Sequence, residues 1–211
     1  MRLDASELDA EAAYKLLVGV VVPRPIAWVS TLSASGVLNV APFSAFTFVS
    51  SQPPMLGINI GRKAGVRKDT AEHILARREY VVHIAHTALT EAVHASAVEH
   101  PPEVSEADLL GLARTAGTHV GVPRLLAPPV AMECRLHSVT AYGDTGSEFF
   151  VGEVLCWHLR EGLLRQGKVD SVELDPVCRL GGPNYAALGR RITLEPLAQT
   201  PKTLLGRRDG S

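Results

Sequence analysis

Residues 23–54, PRPIAWVSTLSASGVLNVAPFSAFTFVSSQPP, form the stretch that decides the fold. Its short apolar runs are typical of strands, and the segments SASG and AP interrupt them as turns do. Small polar residues stand inside or beside these runs: Ser30, Thr31, Asn39, Ser44 and Thr47. Buried hydroxyl and amide groups are costly without partners, so this pattern indicates either a solvated strand face or the wall of a ligand site. Such a ligand would carry phosphate, hydroxyl and ring-carbonyl groups.

The apolar pattern along the whole chain predicts a mainly β protein with a few helices. We expect strands over residues 26–32, 37–41, 43–50, 55–60, 79–85, 130–141 and 149–159, with Pro42, Pro53 and Pro54 at the breaks. Helices are expected over residues 9–17, 88–98 and 106–113, and a further helix is expected to begin at Asp69 or Thr70 as its cap. Many short strands with few helices favour a barrel or a sandwich over a doubly wound sheet. We expect one domain over residues 1–211, with residues 196–211 as a tail.

Composition limits the classes of function. The chain has 211 residues, of which 46% are hydrophobic and 20% charged, and its formal net charge is −1. This balance is ordinary for a soluble globular protein and argues against nucleic-acid binding, which usually requires a basic excess. The N-terminus, MRLDASELDAEAAYK, is unlike a signal peptide, and no apolar run is long enough for a membrane span. Cys134, Cys156 and Cys178 are isolated, which favours reduced thiols in a cytoplasmic protein.

The run RKAGVRKDT at residues 62–70 is the clearest local indication of a binding site. Its four cations, Arg62, Lys63, Arg67 and Lys68, come directly before a predicted helix N-terminus. The free N–H groups and partial positive charge of a helix N-terminus bind phosphate, and cationic side chains add to this. A charge run by itself is more often a solvated loop. We interpret Asp69 as a helix cap or an arginine partner, because a carboxylate repels phosphate.

The sequence predicts no catalytic side chain and no metal site. Its histidines lack the spacing of a zinc site, and no H-E-x-x-H is present. There is also no G-x-S-x-G, no Walker loop and no Rossmann G-x-G-x-x-G. If NAD(P)H is used, it would therefore bind without a Rossmann domain, by stacking on another cofactor.

The segments PRPIAWVST, NVAPFSAF and SSQPP together resemble the flavin reductase-like, FMN-binding split-barrel family, especially its flavoredoxin-like branch. RKDTAEHI and RLGGPNY fit the same family, so the resemblance covers residues 23–185. It implies a Greek-key split β-barrel, one noncovalent FMN per subunit and a homodimer. It also implies either reduction of flavin by NAD(P)H or electron transfer between a retained flavin and a redox protein partner.

The resemblance also assigns candidate cofactor residues. It places the cationic run beside the FMN phosphate, with Lys68 and Thr70 as the first contacts, Arg67 next, and then Arg62 and Lys63. The ribityl chain and phosphate would meet Ser30, Thr31 and Asn39. Backbone N–H groups over residues 41–46, which include Ala41, Ala45 and Phe46, would bond the pyrimidine edge of the ring together with the Ser44 hydroxyl. The candidates for bordering the ring are Arg24, Trp28 and Tyr185, although Trp28 suits a core position equally well.

One departure from the family pattern separates the functional hypotheses. Many flavin reductases of two-component monooxygenases carry a Gly-Asp-His motif late in the chain, where residues 175–185 here read DPVCRLGGPNY. His73 and His83 also stand where related proteins often have Asn. Three alternatives follow: an NAD(P)H:flavin reductase-like enzyme, a flavoredoxin-like electron carrier without NAD(P)H activity, and a split-barrel binding module for a nonflavin ligand.

Overall fold

The structure is a computed structural model, and it describes residues 1–197. Of the predicted tail over residues 196–211, residues 198–211 therefore lie outside the described residues. Within the described part of the chain, no helix has both the length and the apolar character needed to cross a membrane.

The chain forms five α-helices and fourteen strands over residues 1–197. The helices are α1 Ala10–Val20, α2 Asp69–Arg77, α3 Thr90–Ala95, α4 Glu106–Leu109 and α5 Ser171–Leu174, with 3₁₀ turns at Ala5–Glu7 and Thr87–Leu89. The strands are β1 Arg24–Pro25, β2 Ala27–Leu32, β3 Leu38–Phe43, β4 Phe46–Ser51, β5 Pro54–Ile60, β6 Glu79–Ile84, β7 Arg114–Thr115, β8 Arg124–Leu125, β9 Val130–Tyr142, β10 Ser147–Leu159, β11 Leu164–Arg165, β12 Lys168–Val169, β13 Cys178–Arg179 and β14 Tyr185–Ala186. This mainly β content confirms the predicted class.

Seven of these strands form one antiparallel sheet in the order β3-β2-β6-β9-β10-β5-β4. The long strands β9 and β10 pair along their whole length, with register shifts at Val151/Gly152 and Val154/Cys156. Gly152 is required there, because a Cβ at this position would collide with the side chain of Tyr80. Two strands that are remote in sequence, β1 and β13, pair in a small separate sheet with β14.

The strands alternate their side chains between two apolar clusters, one on each side of the sheet. In β2, Ala27 and Val29 belong to one cluster, and Trp28 belongs to the other. In β9, Val130 and Met132 join the first cluster, whereas the intervening Ala131 joins the second. Because an apolar cluster covers each face of the sheet at β2, none of the residues of β2 is fully exposed.

Three local predictions are corrected by the structure. Pro42 lies inside β3 rather than at a break, which is tolerated because β3 is an edge strand of the described sheet and needs no second donor there. The helix expected over residues 88–98 is a 3₁₀ turn followed by the short α3. The helix expected over residues 106–113 is only α4, because Gly111 with φ +62° takes the chain out of helical geometry.

Candidate functional site

A cavity of about 460 Å³ opens between β3, the loop that precedes α2, and the segment that follows α3. From β3 its wall includes Asn39, Ala41 and Phe43, and from the start of α2 it includes Thr70. The residue before the helix, Lys68, also lines it. The cationic run and the polar strand residues, which the sequence placed about thirty positions apart, therefore share one cavity.

The positive end of this cavity is the N-terminus of α2. Lys68, and not Asp69 or Thr70, is the N-cap residue, and no side chain caps the helix. The backbone N–H groups of Asp69 and Thr70 have no acceptor within residues 1–197. Lys68 Nζ lies 5.7 Å from the centroid of the Phe43 ring and has no carboxylate partner in the described chain. Free N–H groups, a helix dipole and an unneutralised ammonium together form a site for an anion.

Two other cations of the run are neutralised by carboxylates. Arg67 donates two hydrogen bonds of 2.8 Å to Glu148, and this bidentate pair holds the pKa of the Glu148 carboxyl below its ordinary value. Lys63 Nζ lies 2.7 Å from Glu99 Oε2. Arg67 thus fixes the loop against β10, and it offers an anion less charge than the sequence indicated.

A buried chain of polar side chains joins α2 to β2 and β3. Asn39 Nδ2 donates to Thr70 Oγ1 at 2.9 Å and to Thr31 Oγ1 at 3.2 Å, and Thr31 Oγ1 lies 3.1 Å from His73 Nδ1. Burial lowers the pKa of His73, so the ring is neutral around pH 7 and can accept from Thr31. This network gives partners to Thr31 and to the amide nitrogen of Asn39, two of the small polar residues that the sequence singled out, and it fixes Thr70 at the cavity wall.

Three predicted site residues lie in the core. Trp28, Ser30 and Thr31 are fully buried. The Trp28 indole N–H donates to Ser96 Oγ at 2.9 Å, and the Ser30 hydroxyl donates to the carbonyl of Pro123 at 2.8 Å. None of these three side chains lines the cavity, and their contacts with a ligand stay predictions.

The candidates for bordering a ring lie outside the cavity wall. Arg24 donates to the backbone carbonyls of Val18, Val21 and Leu180, and its Nε lies 3.4 Å from Ser44 Oγ. Arg24 therefore ties the end of α1 and the segment before β14 to the β3–β4 turn. Its partner Ser44 lies in that turn.

Tyr185 forms a cluster with two cationic or titratable side chains. Its hydroxyl accepts from Arg179 and lies 3.1 Å from His94 Nδ1, and the Arg179 guanidinium lies 4.5 Å from the ring centroid. Three further candidates do not line the cavity; they are Arg62, Ala45 and Phe46. Arg62 donates to the carbonyl of Gly65 at 3.3 Å, and the Ala45 carbonyl accepts the N–H of Asn59 at 2.8 Å.

Glu106 is a cavity residue that sequence reasoning missed. It is only 7% exposed, and its Oε2 accepts the backbone N–H of Val40 at 3.0 Å. Its Oε1 has no hydrogen-bond partner within the described chain. The only sequence signal was Ser105, whose hydroxyl accepts the N–H of Asp108 and so marks the start of α4. Nothing local shows that this helix packs against β3.

Comparison with known proteins decides the family. The family model described as "Flavin reductase like domain" matches residues 20–173. The chain belongs to this family. The resemblance inferred from the motifs over residues 23–185 is thereby confirmed.

Solved structures that cover most of this flavin reductase-like chain share its fold. Nitrilotriacetate monooxygenase component B from Bacillus cereus is 34% identical with a TM-score of 0.89, covering 92% of this chain and 98% of that one. The 2-nitrobenzoate 2-nitroreductase NbaA of Pseudomonas fluorescens is 31% identical with a TM-score of 0.83, covering 95% and 98%. A split barrel domain protein from Shewanella frigidimarina is 18% identical with a TM-score of 0.82, covering 94% and 100%, and this confirms the split-barrel fold.

Proposed function

We propose that this chain is an FMN-binding oxidoreductase that passes hydride from NAD(P)H to flavin N5. The observation that carries the proposal is the anion site at the start of α2, where an unpaired lysine, two free backbone N–H groups and a threonine hydroxyl meet in one cavity. The names of two relatives, a monooxygenase component and a nitroreductase, support the oxidoreductase class.

The residues at this end of the cavity fit a phosphomonoester. Lys68 supplies the charge, and the N–H groups of Asp69 and Thr70 supply directional donors. Because Thr70 Oγ1 already accepts from Asn39, its own O–H is free to donate into the cavity. Asn39 has an amide oxygen without a partner in residues 1–197, which suits a hydroxyl of a ribityl chain.

The protein's share of the chemistry is binding and positioning. A bound flavin would supply the redox chemistry, accepting and releasing electrons at its ring. The N–H and hydroxyl groups of the β3–β4 turn would orient the ring edge, as the family resemblance implies, and no side-chain acid or base is required of the chain. The described part of the chain contains no Rossmann unit, so the nicotinamide would approach the flavin directly.

The first experiment measures FMN and riboflavin binding by titration calorimetry for wild type, Lys68→Ala and Thr70→Ala. Charge-assisted hydrogen bonds contribute about 1.5–3 kcal/mol, so each substitution should weaken FMN binding about tenfold or more. Riboflavin lacks the phosphate, and its affinity should stay unchanged. Lys168→Ala removes an exposed lysine from β12 and serves as the matched control. Unchanged FMN affinity in both cavity variants would refute the phosphate assignment, and a protein that binds no flavin at all would favour the binding-module alternative.

The second experiment separates the enzyme from the electron carrier. The FMN-loaded protein is mixed anaerobically with NADH and, separately, with NADPH, while flavin absorbance is followed. Rapid bleaching by either nucleotide supports the reductase. A retained flavin that only a reduced redox protein can bleach supports the flavoredoxin-like carrier, which the absent Gly-Asp-His motif favours.

We also propose that the protein is a homodimer. Large apolar side chains are exposed on α1 and β4. Helix α1 has no buried residue, and its Tyr14 and Leu17 are 64% and 60% exposed. Phe48 on the edge strand β4 is 78% exposed. Arg24 bonds to Val18 in α1 and to Ser44, two positions before β4. A second copy of the chain would cover this apolar surface. Light scattering should give the mass of a dimer for wild type and the mass of a monomer for Phe48→Ser. Leu164→Ser removes an exposed leucine outside this surface and should remain a dimer. A wild-type monomer would refute the proposal.

The state of the thiols supports a proposal for the cellular location. All three cysteines are free, and two of them are buried. We propose a cytoplasmic location, where such thiols stay reduced. Secretion of the native full-length protein, detected by fractionation, would refute it.

A further inference from the structure

The pairing of β9 with β10 brings three side chains with metal-ligating atoms together, away from the flavin cavity. Cys156 and His158 are two positions apart on β10, so both point to the same face. Glu133 on β9 is the direct cross-strand partner of Cys156. The Glu133 carboxylate oxygen, the Cys156 thiol sulfur and a His158 ring nitrogen all lie within 4.8 Å of one another.

Glu133 is held as a buried, ionised carboxylate. It is fully buried, and its oxygens accept the backbone N–H groups of Thr118, His119 and Val120 at 2.7, 2.6 and 3.1 Å. Three backbone N–H donors stabilise the carboxylate and fix its position at the end of the cluster.

The cluster does not have the geometry of a nucleophile–base relay. Glu133 Oε1 lies 2.6 Å from His158 Nε2, and Cys156 Sγ lies 3.7 Å from the same nitrogen. A Cys–His–Glu relay uses the two different nitrogens of the imidazole, one for the thiol and one for the carboxylate. Here all three groups converge on one point, as ligands do around a cation.

We propose that Glu133, Cys156 and His158 bind a Zn²⁺ ion. Thiolate, imidazole and carboxylate are the ligand types that zinc takes, at distances of about 2.0–2.3 Å. On binding, the ion displaces the Cys156 thiol proton to solvent, and the His158 proton moves to Nδ1, so that Sγ, Nε2 and Oε1 each offer a lone pair. Cys156 and His158 are only half-buried, which leaves the fourth position open to water. The N–H groups of Thr118 and His119 would orient the carboxylate.

Cobalt substitution tests this site directly. The purified full-length protein is treated with a chelator, dialysed and titrated with Co²⁺, whose thiolate charge-transfer band in the near ultraviolet reports a cysteine ligand. We expect a saturable band at one ion per chain that Zn²⁺ abolishes by displacement. Cys156→Ser should remove the band, and His158→Gln should weaken Co²⁺ binding at least tenfold. Cys178→Ser, which removes a cysteine outside the cluster, should leave both unchanged.

The readout is independent of flavin chemistry, so it stands whether or not FMN binds. Circular dichroism of Cys156→Ser and His158→Gln confirms that both variants are folded before titration. A wild-type protein without the charge-transfer band, or a band that persists in folded Cys156→Ser, would overturn the proposal.

Discussion

Replacement of His83 tests how much this buried histidine contributes to the loss of stability at low pH. His83 is fully buried on β6, where Nδ1–H donates to the carbonyl of Trp28 at 2.9 Å and Nε2 accepts the N–H of Leu125 at 2.9 Å. The bond from Leu125 requires the neutral ring, because Nε2 can accept a hydrogen bond only while it keeps its lone pair. The pKa of His83 is lowered to about 4; burial is the main cause, the bond to the Trp28 carbonyl opposes it, and the nearby Arg124 and His158 add to the lowering.

The magnitude follows from linkage. In the unfolded chain the His83 pKa is 6.5, and the difference from about 4 corresponds to about 3 kcal/mol at about 1.36 kcal/mol per pKa unit. Above the unfolded pKa both states are neutral, and the full stability is present. As the pH falls below it, only the unfolded state gains a proton, so stability is lost progressively until the native ring also protonates near pH 4.

Urea unfolding of wild type and His83→Asn between about pH 7 and about pH 4 measures this contribution. Carboxylates titrate in both proteins, so the difference between their unfolding free energies isolates His83. We expect that difference to fall by about 3 kcal/mol over this range. His137→Asn, which removes an exposed histidine from β9, is the control for loss of one imidazole. A wild-type–variant difference that does not change with pH would refute the reasoning.

Two further predictions concern packing and charge. Gly152→Ala should destabilise the fold by about 1–3 kcal/mol, because the added methyl group collides with the side chain of Tyr80. Gly189→Ala adds a methyl group in open space and should change the unfolding free energy by no more than about 0.5 kcal/mol. Urea unfolding of both variants measures the difference. Glu148→Gln removes the charge from the carboxylate that bonds part-buried Arg67 at 2.8 Å, leaves only Glu72 at 3.7 Å, and should cost about 1 kcal/mol in the same assay. Lys63→Ala breaks the exposed ion pair with Glu99 and should lower the unfolding free energy by less than about 0.5 kcal/mol. An equal loss in Lys63→Ala and Glu148→Gln would contradict the argument that the less exposed ion pair contributes more.

Local sequence determined many of the elements and part of the cavity wall. Apolar runs bounded by turn residues specified β2, β9 and β10 within a few positions of the structure, because buried strands need apolar residues and turns need residues that break them. The cationic run before a helix start also singled out Lys68 and Thr70, which line the cavity at the N-terminus of α2, and their phosphate contacts stay predictions.

Only the tertiary structure decided which polar groups remain free. Arg67 is neutralised by a carboxylate 81 residues away, and Trp28 finds its partner Ser96 68 residues away. The Glu133–Cys156–His158 cluster likewise exists only because β9 pairs with β10 in one register, and a shift by one residue would turn these side chains to opposite faces. Local patterns encode propensity and periodicity, whereas hydrogen-bond partners and desolvation depend on contacts that are made when remote strands pair.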